Sequence, residues 1–401
     1  GDSGADDGVG AGDYGRPGRA AGDDGMKTFP LAEVCRIDMG QAPKGASYSQ
    51  DEGIPLIAGA GDFGEWSPKP TKLTTEPSKV SQTGDIILCI RATIGDRNWS
   101  DMEYCLGRGV AGLRPKANLD TNYLWHWLDS AKGDLMARGR GATFLQVTKN
   151  DLATLPIPLP PLPEQKRIAA ILDKADAIRR KRRQALGLAD LFLRAVFLDM
   201  FGDPVTNPKG LPTTPIKKLG QVVTGNTPSR KQPDYYGDGI EWIKSDNINT
   251  PDHFLTPAEE HLTEAGQAVA RTVPSGSILV TCIAGSPSCI GNTALADREV
   301  AFNQQINAIV PHAGVDPYFL YGQILTGKKL IQGASTNSMK GMVSKGKFQE
   351  INVLHPSIEE QKKYRSVFDR HQKLSAILKR QDFDAEDLFS SLTQRAFRGE
   401  L

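Results

Sequence analysis

The 401-residue sequence contains no apolar run close to the roughly 18 residues that a membrane-spanning helix needs, which excludes a transmembrane protein. No secretory signal opens it. Cysteine is scarce, and the five cysteines are widely spaced with no C-x-x-C pair: Cys35, Cys89, Cys105, Cys282 and Cys289. This spacing excludes a zinc ribbon and argues against a disulfide framework. We therefore expect a reduced, cytoplasmic protein.

The chain also has almost no net charge, because 48 Lys and Arg offset 47 Asp and Glu to leave +1. The first 25 residues are an exception, with nine glycines, six aspartates and only two arginines. Such a leader has too little apolar surface to offset its ordering entropy, so residues 1–25 are expected to be disordered or a tag. The leader carries −4, which leaves a mildly basic +5 on the rest of the chain.

The strongest signal that is present is an internal repeat. The segment VTKNDLATLPIPLPPLPEQKRI (147–168) aligns without gaps with VSKGKFQEINVLHPSIEEQKKY (343–364). Identical pairs include Val147/Val343, Glu164/Glu360 and Gln165/Gln361. Upstream, GDIILCI (84–90) has a counterpart in GSILVTCI (276–283). The chain is therefore one design used twice, with a pseudo-two-fold internal repeat.

Each repeat ends in a long helical pattern of about 37 residues, or roughly 55 Å at 1.5 Å per residue. Apolar residues recur every three or four positions from 162 to 200 and from 364 to 399. Two equal apolar stripes of this length most simply bury each other as an antiparallel coiled pair. The predicted interface consists of Ile168, Ile171, Leu172, Ala175, Ile178, Leu186, Phe192, Val367, Phe368, Leu374, Leu378, Leu388 and Phe389.

The globular blocks combine short strand-like runs with one clear helix each, which predicts an α+β (mixed α/β) class. Regular β–α alternation is absent, and this argues against a doubly wound sheet. The predicted division is a leader (1–25), a first globular block (26–158), a first long helix (159–202), a second block (203–355) and a second long helix (356–401).

The sequence contains two incomplete copies of nucleotide-binding motifs. Gly59–Gly64 fits G-x-G-x-x-G, but Pro68 and Pro70 forbid the helix that would follow a dinucleotide-binding turn. Gly322–Lys328 imitates a P-loop, but Lys329 replaces the Ser or Thr that would ligate magnesium.

Nuclease and methyltransferase motifs are incomplete as well. Pro233-Asp234 is followed by Glu241 and Lys244 one residue too far apart, so their side chains would face opposite sides of a strand. Asn207-Pro208 is followed by lysine, which cannot stack on a flipped base. We expect no catalytic residue, no metal site and no cofactor bound by this chain.

A doubled block on a rigid spacer suits a long ligand with a regular repeat, and DNA is the natural candidate. Arg reads guanine, Asn and Gln read adenine, and Lys mostly contacts phosphate. The candidate DNA-binding residues are Lys44, Tyr48, Arg91, Arg97, Arg108, Arg138, Arg140 and Lys149 in the first block, and Arg230, Lys231, Tyr235, Tyr236, Lys244, Asn303, Gln304, Gln305, Lys340 and Lys345 in the second. For each of them the ordinary alternative is a solvated surface residue.

Two features of the sequence stand out. Asn303, Gln304 and Gln305 are three adjacent amides, which are costly to bury and useful at a base edge. The first long helix holds eight Lys and Arg against three acids between 164 and 183, including RRKRR at 179–183. This run either contacts a DNA backbone or an acidic partner, or forms a solvated face beside the coiled seam.

Several ordered motifs resemble the specificity (S) subunit of type I restriction–modification systems, the HsdS family. The segment ATFLQVTKNDLATLPIPLPPLPEQKRIAAILDKADAI (142–178) is similar to the junction between a recognition domain and a conserved helix in that family. The other segments are GDIILCIRATIG (84–95), LGRGVAGLRP (106–115), YYGDGIEWIKSDNIN (235–249), EVAFNQQINAIVP (299–311) and AFRGEL (396–401). The resemblance runs from about residue 27 to the last residue, with the repeat in matching order.

The resemblance implies two target recognition domains that each read one half of a bipartite, asymmetric DNA site. It implies that two conserved antiparallel helices set the spacer and dock two modification (M) subunits, which use S-adenosylmethionine to methylate adenine. Restriction (R) subunits add ATP- and magnesium-dependent translocation and cleavage. The S subunit itself is non-catalytic in this family. The leader at 1–25 departs from the family pattern, and the second junction at 351–364 matches it less closely than the first. No individual base contact of the family can be assigned to a residue of this chain.

Two other classes stay open from the sequence. A self-contained DNA-modifying enzyme with a fused recognition module would bind S-adenosylmethionine as an isolated chain. A purely helical assembly scaffold would bind protein through its blocks and would show no salt-dependent DNA affinity.

Overall fold

The computed structural model describes residues 26–336 and 341–401, which form two compact units. Unit 1 is the described part of Gly1–Arg180 together with Asp384–Leu401, and unit 2 is the described part of Lys181–Phe383. The predicted leader (1–25) lies outside the described residues. Within the described ranges, no helix combines the length and the apolar character that crossing a membrane requires.

Unit 1 contains three sheets and four short helices. In chain order its elements are β1 (Thr28–Pro30), α1 (Leu31–Val34), β2 (Cys35–Met39), β3 (Tyr48–Ser49), β4 (Ile54–Ile57), β5 (Leu73–Thr74), β6 (Ile86–Cys89), β7 (Arg97–Trp99), β8 (Cys105–Leu106), β9 (Val110–Pro115), α2 (Thr121–Ser130), α3 (Lys132–Ala137), α4 (Lys149–Ala153) and β10 (Pro156–Pro158). The sheet orders are β2-β9-β6-β7, β3-β5-β4-β8 and β1-β10. All pairs are antiparallel except β4 with β8.

Two long helices follow the blocks: α5 (Leu162–Phe201) has 40 residues, and a second one, Ile358–Arg398, has 41. Both are slightly longer than the sequence pattern predicts. The boundaries between the compact units fall inside these helices, so each unit includes a segment of both.

Unit 2 repeats the plan of unit 1. Its elements are β11 (Thr213–Pro215), α6 (Ile216–Leu219), β12 (Gly220–Thr224), β13 (Tyr236–Ile243), β14 (His261–Leu262), α7 (Glu264–Val269), β15 (Thr272–Val273), β16 (Ile278–Thr281), β17 (Ile283–Ala284), β18 (Thr293–Leu295), β19 (Val300–Phe302), β20 (Ile306–Pro311), α8 (Pro317–Thr326), α9 (Lys328–Gly333), β21 (Gly341–Met342), α10 (Lys345–Gln349) and β22 (Asn352–Leu354); the second long helix, Ile358–Arg398, is α11.

The sheet orders confirm the repeat that the sequence predicts. The order β12-β20-β16-β18 reproduces β2-β9-β6-β7, and β11-β22 reproduces β1-β10. The parallel pair of β13 with β19 corresponds to the parallel pair of β4 with β8 in unit 1. The central strands β6 and β16 are buried at all four positions, which is why they read as continuous apolar runs. The fold is therefore α+β with an internal repeat, as predicted.

The long helices run antiparallel within each unit. In unit 1, Arg179 pairs with Glu386 at 2.9 Å, and Arg167 donates to the Leu401 carbonyl at 2.8 Å. In unit 2, the rings of Phe197 and Tyr364 lie 5.2 Å apart, and Asp190 Oδ1 lies 3.3 Å from His371 Nε2. Because residue numbers rise along α5 as they fall along α11, the predicted antiparallel arrangement is present in both units.

The predicted interface residues divide by burial. Ile168, Leu172, Ala175, Phe368 and Phe389 are buried, and Ile171, Leu186, Val367 and Leu378 are half-buried. The prediction also placed Ile178, Phe192, Leu374 and Leu388 in the seam, whereas the structure leaves 46%, 60%, 48% and 52% of them exposed.

The exposure of Phe192 follows from how α5 packs in unit 2. The buried residues there recur every four positions: Ala189, Leu193, Phe197 and Phe201. Leu193, Phe197 and Phe201 join the core of the second block. The helix therefore turns one face to the block and leaves the adjacent apolar side, with Phe192, exposed. The sequence pattern could not separate these two neighbouring faces.

Candidate nucleic-acid interface

In unit 1, several predicted residues meet at one surface loop. We call residues 138–149 the basic loop. The backbones of Arg140 and Gln146 exchange two hydrogen bonds of 3.0 and 2.9 Å, which closes the loop, and Arg91 forms an isolated bridge to Gln146. The guanidinium of Arg91 lies 5.8 Å from the ring centre of Phe144. Arg91, Arg140 and Lys149 are all exposed, so cations and an aromatic ring share this surface.

The backbone of this region is held in unusual conformations. Ala92, next to Arg91, has a φ of 64°, and its N–H donates to the Leu145 carbonyl at 2.9 Å. A non-glycine residue there costs on the order of 1–3 kcal/mol, and such strain tends to occur at functional sites. Gly141 has a φ of 142°, and a Cβ there would come within 2.2 Å of the Phe144 carbonyl oxygen. The loop shape is thus fixed by main-chain contacts, leaving its side chains available to a ligand.

Phe144 and Leu145 are residues that the sequence reasoning missed. They are 55% and 42% exposed, although both are large apolar side chains. The signal was the interleaving of glycine, arginine and an aromatic in RGRGATF (138–144). An exposed ring beside cations is a platform on which a base or sugar can stack.

Arg138 faces the protein instead. Its Nη1 donates to the Asp151 carbonyl and to Thr154 Oγ1, both at 3.0 Å. Asp151 caps α4 together with Thr148, and hydrogen bonds from the Thr148 side chain and backbone lower the pKa of the Asp151 carboxyl. This carboxylate also lies 3.8 Å from Arg140.

Arg97 also contacts other side chains of unit 1. It forms a bidentate pair with Asp129 at 2.8 and 2.6 Å, its guanidinium lies 4.3 Å from the Trp125 ring centre, and its side chain is 10% exposed. Lys44, Tyr48 and Arg108 are exposed, with Lys44 3.9 Å from Glu76. The structure therefore groups Arg91, Arg140 and Lys149, and places the other predicted residues of this block outside that group.

In unit 2, β13 and β19 pair in parallel, and the Asn303 N–H donates to the Ile243 carbonyl at 3.0 Å, so the predicted segments around Lys244 and Asn303 lie side by side. The N–H of Asn226 donates to the Phe302 carbonyl at 3.0 Å, and the hydroxyl of Thr227 bonds to the side chain of Gln304. Of the three adjacent amides, Asn303 is buried, Gln305 is half-buried and Gln304 is exposed.

The buried amide shapes this turn. Asn303 Oδ1 accepts from the Gln305 N–H at 3.0 Å, and Asn303 Nδ2 donates to Gln305 Oε1 at 3.2 Å. These bonds satisfy Asn303 inside the protein, as a buried amide requires. They leave Gln304 as the most accessible amide for a base edge.

Cations and aromatic rings also cluster beside this turn. Arg230 lies 4.1 Å from the ring centre of Tyr236 and 5.2 Å from that of Trp242. Glu260 pairs with both Arg230 and Lys244, and the hydrogen bonds from Lys244 and then Arg230 lower the pKa of its carboxyl despite partial burial. One carboxylate thus partly neutralises two of the predicted cations.

The remaining predictions of this block are scattered. The Tyr236 hydroxyl donates to the Pro228 carbonyl at 2.6 Å, Tyr235 is half-buried and Lys231 is exposed. Lys345 is the exposed first residue of α10, as Lys149 is of α4. Lys340 lies outside the described residues.

The arginine-rich run at 179–183 is largely engaged inside the units. Arg179 pairs with Asp176 at 2.5 Å and lies 4.2 Å from the Phe389 ring centre. Arg180 lies 3.8 Å from the Trp66 ring centre, and Arg182 donates to the Gln381 carbonyl at 2.7 Å. These contacts give the run a structural role that the sequence alone did not suggest.

Comparison with known proteins places both halves in one family. The family model described as "Type I restriction modification DNA specificity domain" matches residues 23–187 and again residues 208–382. A protein of Methanocaldococcus jannaschii named as the MjaX type I restriction enzyme specificity subunit is 38% identical over 156 residues, 38% of this chain and 37% of that protein. The MjaIX specificity subunit of the same organism is 31% identical over 199 residues, 47% of this chain and 44% of that protein.

The matched segments thus span less than half the length of either relative. A chain solved in work on complex assembly and conformational transition of the type I R-M system has a TM-score of 0.61 and 18% identity, covering 94% of this chain and 99% of that one. That likeness shows the fold. With the specificity-domain model matching both halves, the chain belongs to the family of type I restriction–modification DNA specificity domains.

Proposed function

We propose that this chain is the DNA-recognition subunit of a type I restriction–modification complex. Unit 1 reads one half of a bipartite, asymmetric DNA site and unit 2 reads the other. The observation that carries the proposal is the match of one DNA specificity model to both halves of the chain. The repeated sheet orders support it, because a duplicated reading domain needs a duplicated fold.

The surfaces described above support a division of labour in this reading. Arg91, Arg140 and Lys149 around the basic loop supply phosphate contacts, which position the duplex without reading its sequence. Gln304 in unit 2 supplies an amide that matches the donor and acceptor pattern of an adenine edge. Phe144 adds an exposed ring for stacking.

The long helices are proposed to set the spacer between the half-sites and to dock two methyltransferase (M) subunits. In unit 2, α5 and α11 border an apolar groove of about 610 Å³ that is lined by Ala185, Leu188, Ala189, Phe192, Val196, Val367, Arg370, His371, Leu374 and Leu378. Leu188 and Phe192 are 57% and 60% exposed. An apolar patch of this kind on a helix pair fits the apolar face of a partner helix.

Catalysis is assigned to the partners under this proposal. The M subunits bind S-adenosylmethionine and methylate adenine, and restriction (R) subunits, where present, use ATP and magnesium. The alternatives carried from the sequence are a stand-alone DNA-modifying enzyme and a helical assembly scaffold. Neither is favoured by a specific contact among the described residues.

The test is to reconstitute the chain with its M subunits, expose genomic DNA to the complex and map the methylated adenines. A two-part asymmetric sequence with a constant gap is expected. Methylation at an undivided site would contradict the two-reader proposal. The isolated chain, incubated with labelled S-adenosylmethionine and DNA, is the control, and methyl transfer by that chain would favour the stand-alone enzyme.

A further inference from the structure

Unit 2 contains a cluster of two histidines and one carboxylate that the DNA-reading role does not use. Asp190 lies on α5, His371 lies on α11, and His253 lies in the segment that links β13 to β14. One ligand atom from each residue lies within 4.8 Å of the other two. His371 Nε2 is 3.3 Å and His253 Nε2 is 3.7 Å from Asp190 Oδ1.

These separations resemble those between neighbouring ligands of a bound metal ion. Two ligand atoms at about 2.0–2.1 Å from a tetrahedral Zn²⁺ lie about 3.4 Å apart. The two histidine-to-carboxylate distances bracket that value. A modest rotation of the rings would bring the three ligand atoms to one centre.

An outer contact orients the ring of His253 in the way that a metal-binding histidine requires. His253 Nδ1 lies 2.8 Å from the hydroxyl of Tyr321, a residue that is 1% exposed. This bond occupies one ring nitrogen and turns Nε2 toward Asp190. Metal-ligating histidines usually bond through their second ring nitrogen, which fixes the tautomer and the ring plane.

His371 is held by ring packing and by a contact at Nε2, the nitrogen that would bind the ion. Its ring meets that of His253 edge to face at 5.2 Å between centres, and it is 4% exposed. The hydroxyl of Ser375 lies 3.3 Å from His371 Nε2, and a bound ion would replace this contact. The side chain is therefore more than nine-tenths buried with its Nε2 aimed at the carboxylate.

Two ring nitrogens of the cluster, His253 Nε2 and His371 Nδ1, are buried without a hydrogen-bond partner among the described residues. A buried polar nitrogen without a partner destabilises the folded chain. A cation between the three residues would satisfy His253 Nε2 and the open face of Asp190, whose side chain is 44% exposed.

We propose that Asp190, His253 and His371 bind one divalent transition-metal ion, with Zn²⁺ as the ion of first choice. Two imidazoles and one carboxylate are a ligand set that suits zinc and its neighbours better than calcium or magnesium. The remaining position opens to a cavity of about 280 Å³ that includes Asp190, His253 and Ser375 in its lining, so water completes the coordination.

The ion has a structural role in this position. It joins the segment around His253, which belongs to the second block, to both long helices within unit 2. Lys379, which lines the same cavity, is paired with Asp252, so its charge is compensated. In unit 1, His126 pairs with Asp173 at 2.8 Å, and the described residues there supply no third ligand. The site is thus a feature of unit 2.

The experiment uses the full chain without an affinity tag, stripped of metal with a chelator and then titrated with Zn²⁺ by calorimetry. One ion per chain is expected, together with a higher melting temperature. Titration with Co²⁺ should give the visible absorption of a tetrahedral or five-coordinate histidine site. Absence of binding, or a stoichiometry that varies with the preparation, would overturn the proposal.

Variants locate the site. Asp190→Asn and His253→Gln should each weaken Zn²⁺ binding at least 100-fold and abolish the Co²⁺ spectrum. His312→Gln and His355→Gln are the matched controls, because both histidines are exposed and should leave binding unchanged. The circular dichroism of each metal-free variant checks folding. Zinc binding that survives in both site variants, or that is lost in either control, would assign the ion to another place.

Discussion

The side-chain carbonyl of Gln165 accepts a hydrogen bond of 2.8 Å from the backbone N–H of Asp120. The amide of the same side chain donates to the carbonyls of Pro160 and Asn118 at 2.8 and 3.0 Å. In the second repeat, Gln361 accepts from the Asp316 N–H at 2.9 Å and donates to the Pro356 carbonyl at 2.9 Å. Both glutamines are 1% exposed. The conserved geometry explains why the two junctions share this residue: it fixes the first turn of each long helix to the N-cap of α2 or α8.

Replacing this glutamine should therefore be costly. Gln165→Leu leaves the Asp120 N–H and two carbonyls without their partner, and we expect a loss of about 3 kcal/mol in the free energy of unfolding, measured by urea denaturation. Gln184→Leu on the exposed side of α5 is the control and should change stability by less than about 0.5 kcal/mol. Equal stabilities of the two variants would refute the anchoring role.

Removing Arg140 from the basic loop, together with the neighbouring Arg91, should weaken DNA binding for all sequences alike. If Arg91 and Arg140 each contact one phosphate, the double variant Arg91→Ala/Arg140→Ala should lower the slope of log affinity against log salt by about 2. Arg36→Ala is the control for the loss of one positive charge, because Arg36 is exposed and pairs with Asp38 on β2. An unchanged slope in a salt series of gel-shift assays would mean that this loop does not face DNA.

Gln304→Ala should act on specificity instead of on general affinity. Loss of one amide at a base edge is expected to cost about 1–3 kcal/mol for the preferred sequence and to relax the choice of base at a single position. The readout is the sequence logo of methylated sites from the reconstituted complex. A uniform drop over all positions would contradict base reading by this residue.

Charging the apolar groove in unit 2 should prevent partner docking. Leu188→Glu/Leu374→Glu places two carboxylates on a surface that is proposed to meet an apolar helix, and the chain should then fail to co-elute with M subunits in size-exclusion chromatography. Val269→Glu is the control, because Val269 is 46% exposed on α7, away from the groove. Intact complex with the groove variant would place M-subunit docking elsewhere.

Acid should destabilise unit 2 through Glu241. This carboxylate accepts from Arg298 Nη2 at 3.0 Å and from the Ala258 N–H at 2.8 Å, and the Arg298 hydrogen bonds hold its pKa below the ordinary value. A lowered pKa in the folded state means that the stabilisation is complete above the unfolded pKa and disappears as the pH falls through the folded one. Glu241→Gln should therefore lower stability by about 2 kcal/mol at pH 7, with a smaller difference below about pH 4.

Calorimetric unfolding of the full chain between pH 3 and pH 8 measures this difference. Glu259→Gln, an exposed neighbour in the same segment, should follow the unaltered protein at every pH. A gap between the Glu241→Gln variant and the unaltered protein that stays constant with pH would show that the ion pair is not its source.

The sequence by itself determined the repeat, the α+β class and the two long helices. These follow from local and periodic signals. β6 and β16 are mostly apolar because sheets with two covered faces need such strands, and apolar residues recur at helical spacing along most of α5 and α11. The two matched junctions at 147–168 and 343–364 fixed the order of the elements, since the same residues fold the same way twice.

Only the tertiary structure decided which side chains face outward. Arg97 pairs with Asp129, and Arg179 pairs with Glu386, 207 residues away, so residues that read as solvated or DNA-facing charges are tied inside unit 1. Along α5, neighbouring faces of similar hydropathy became the core around Phe197 and the open groove around Phe192. The cluster of Asp190, His253 and His371 has no sequence motif at all. The physical reason is the same in each case: composition and periodicity report what a residue can do, whereas its partner is chosen by how distant segments pack.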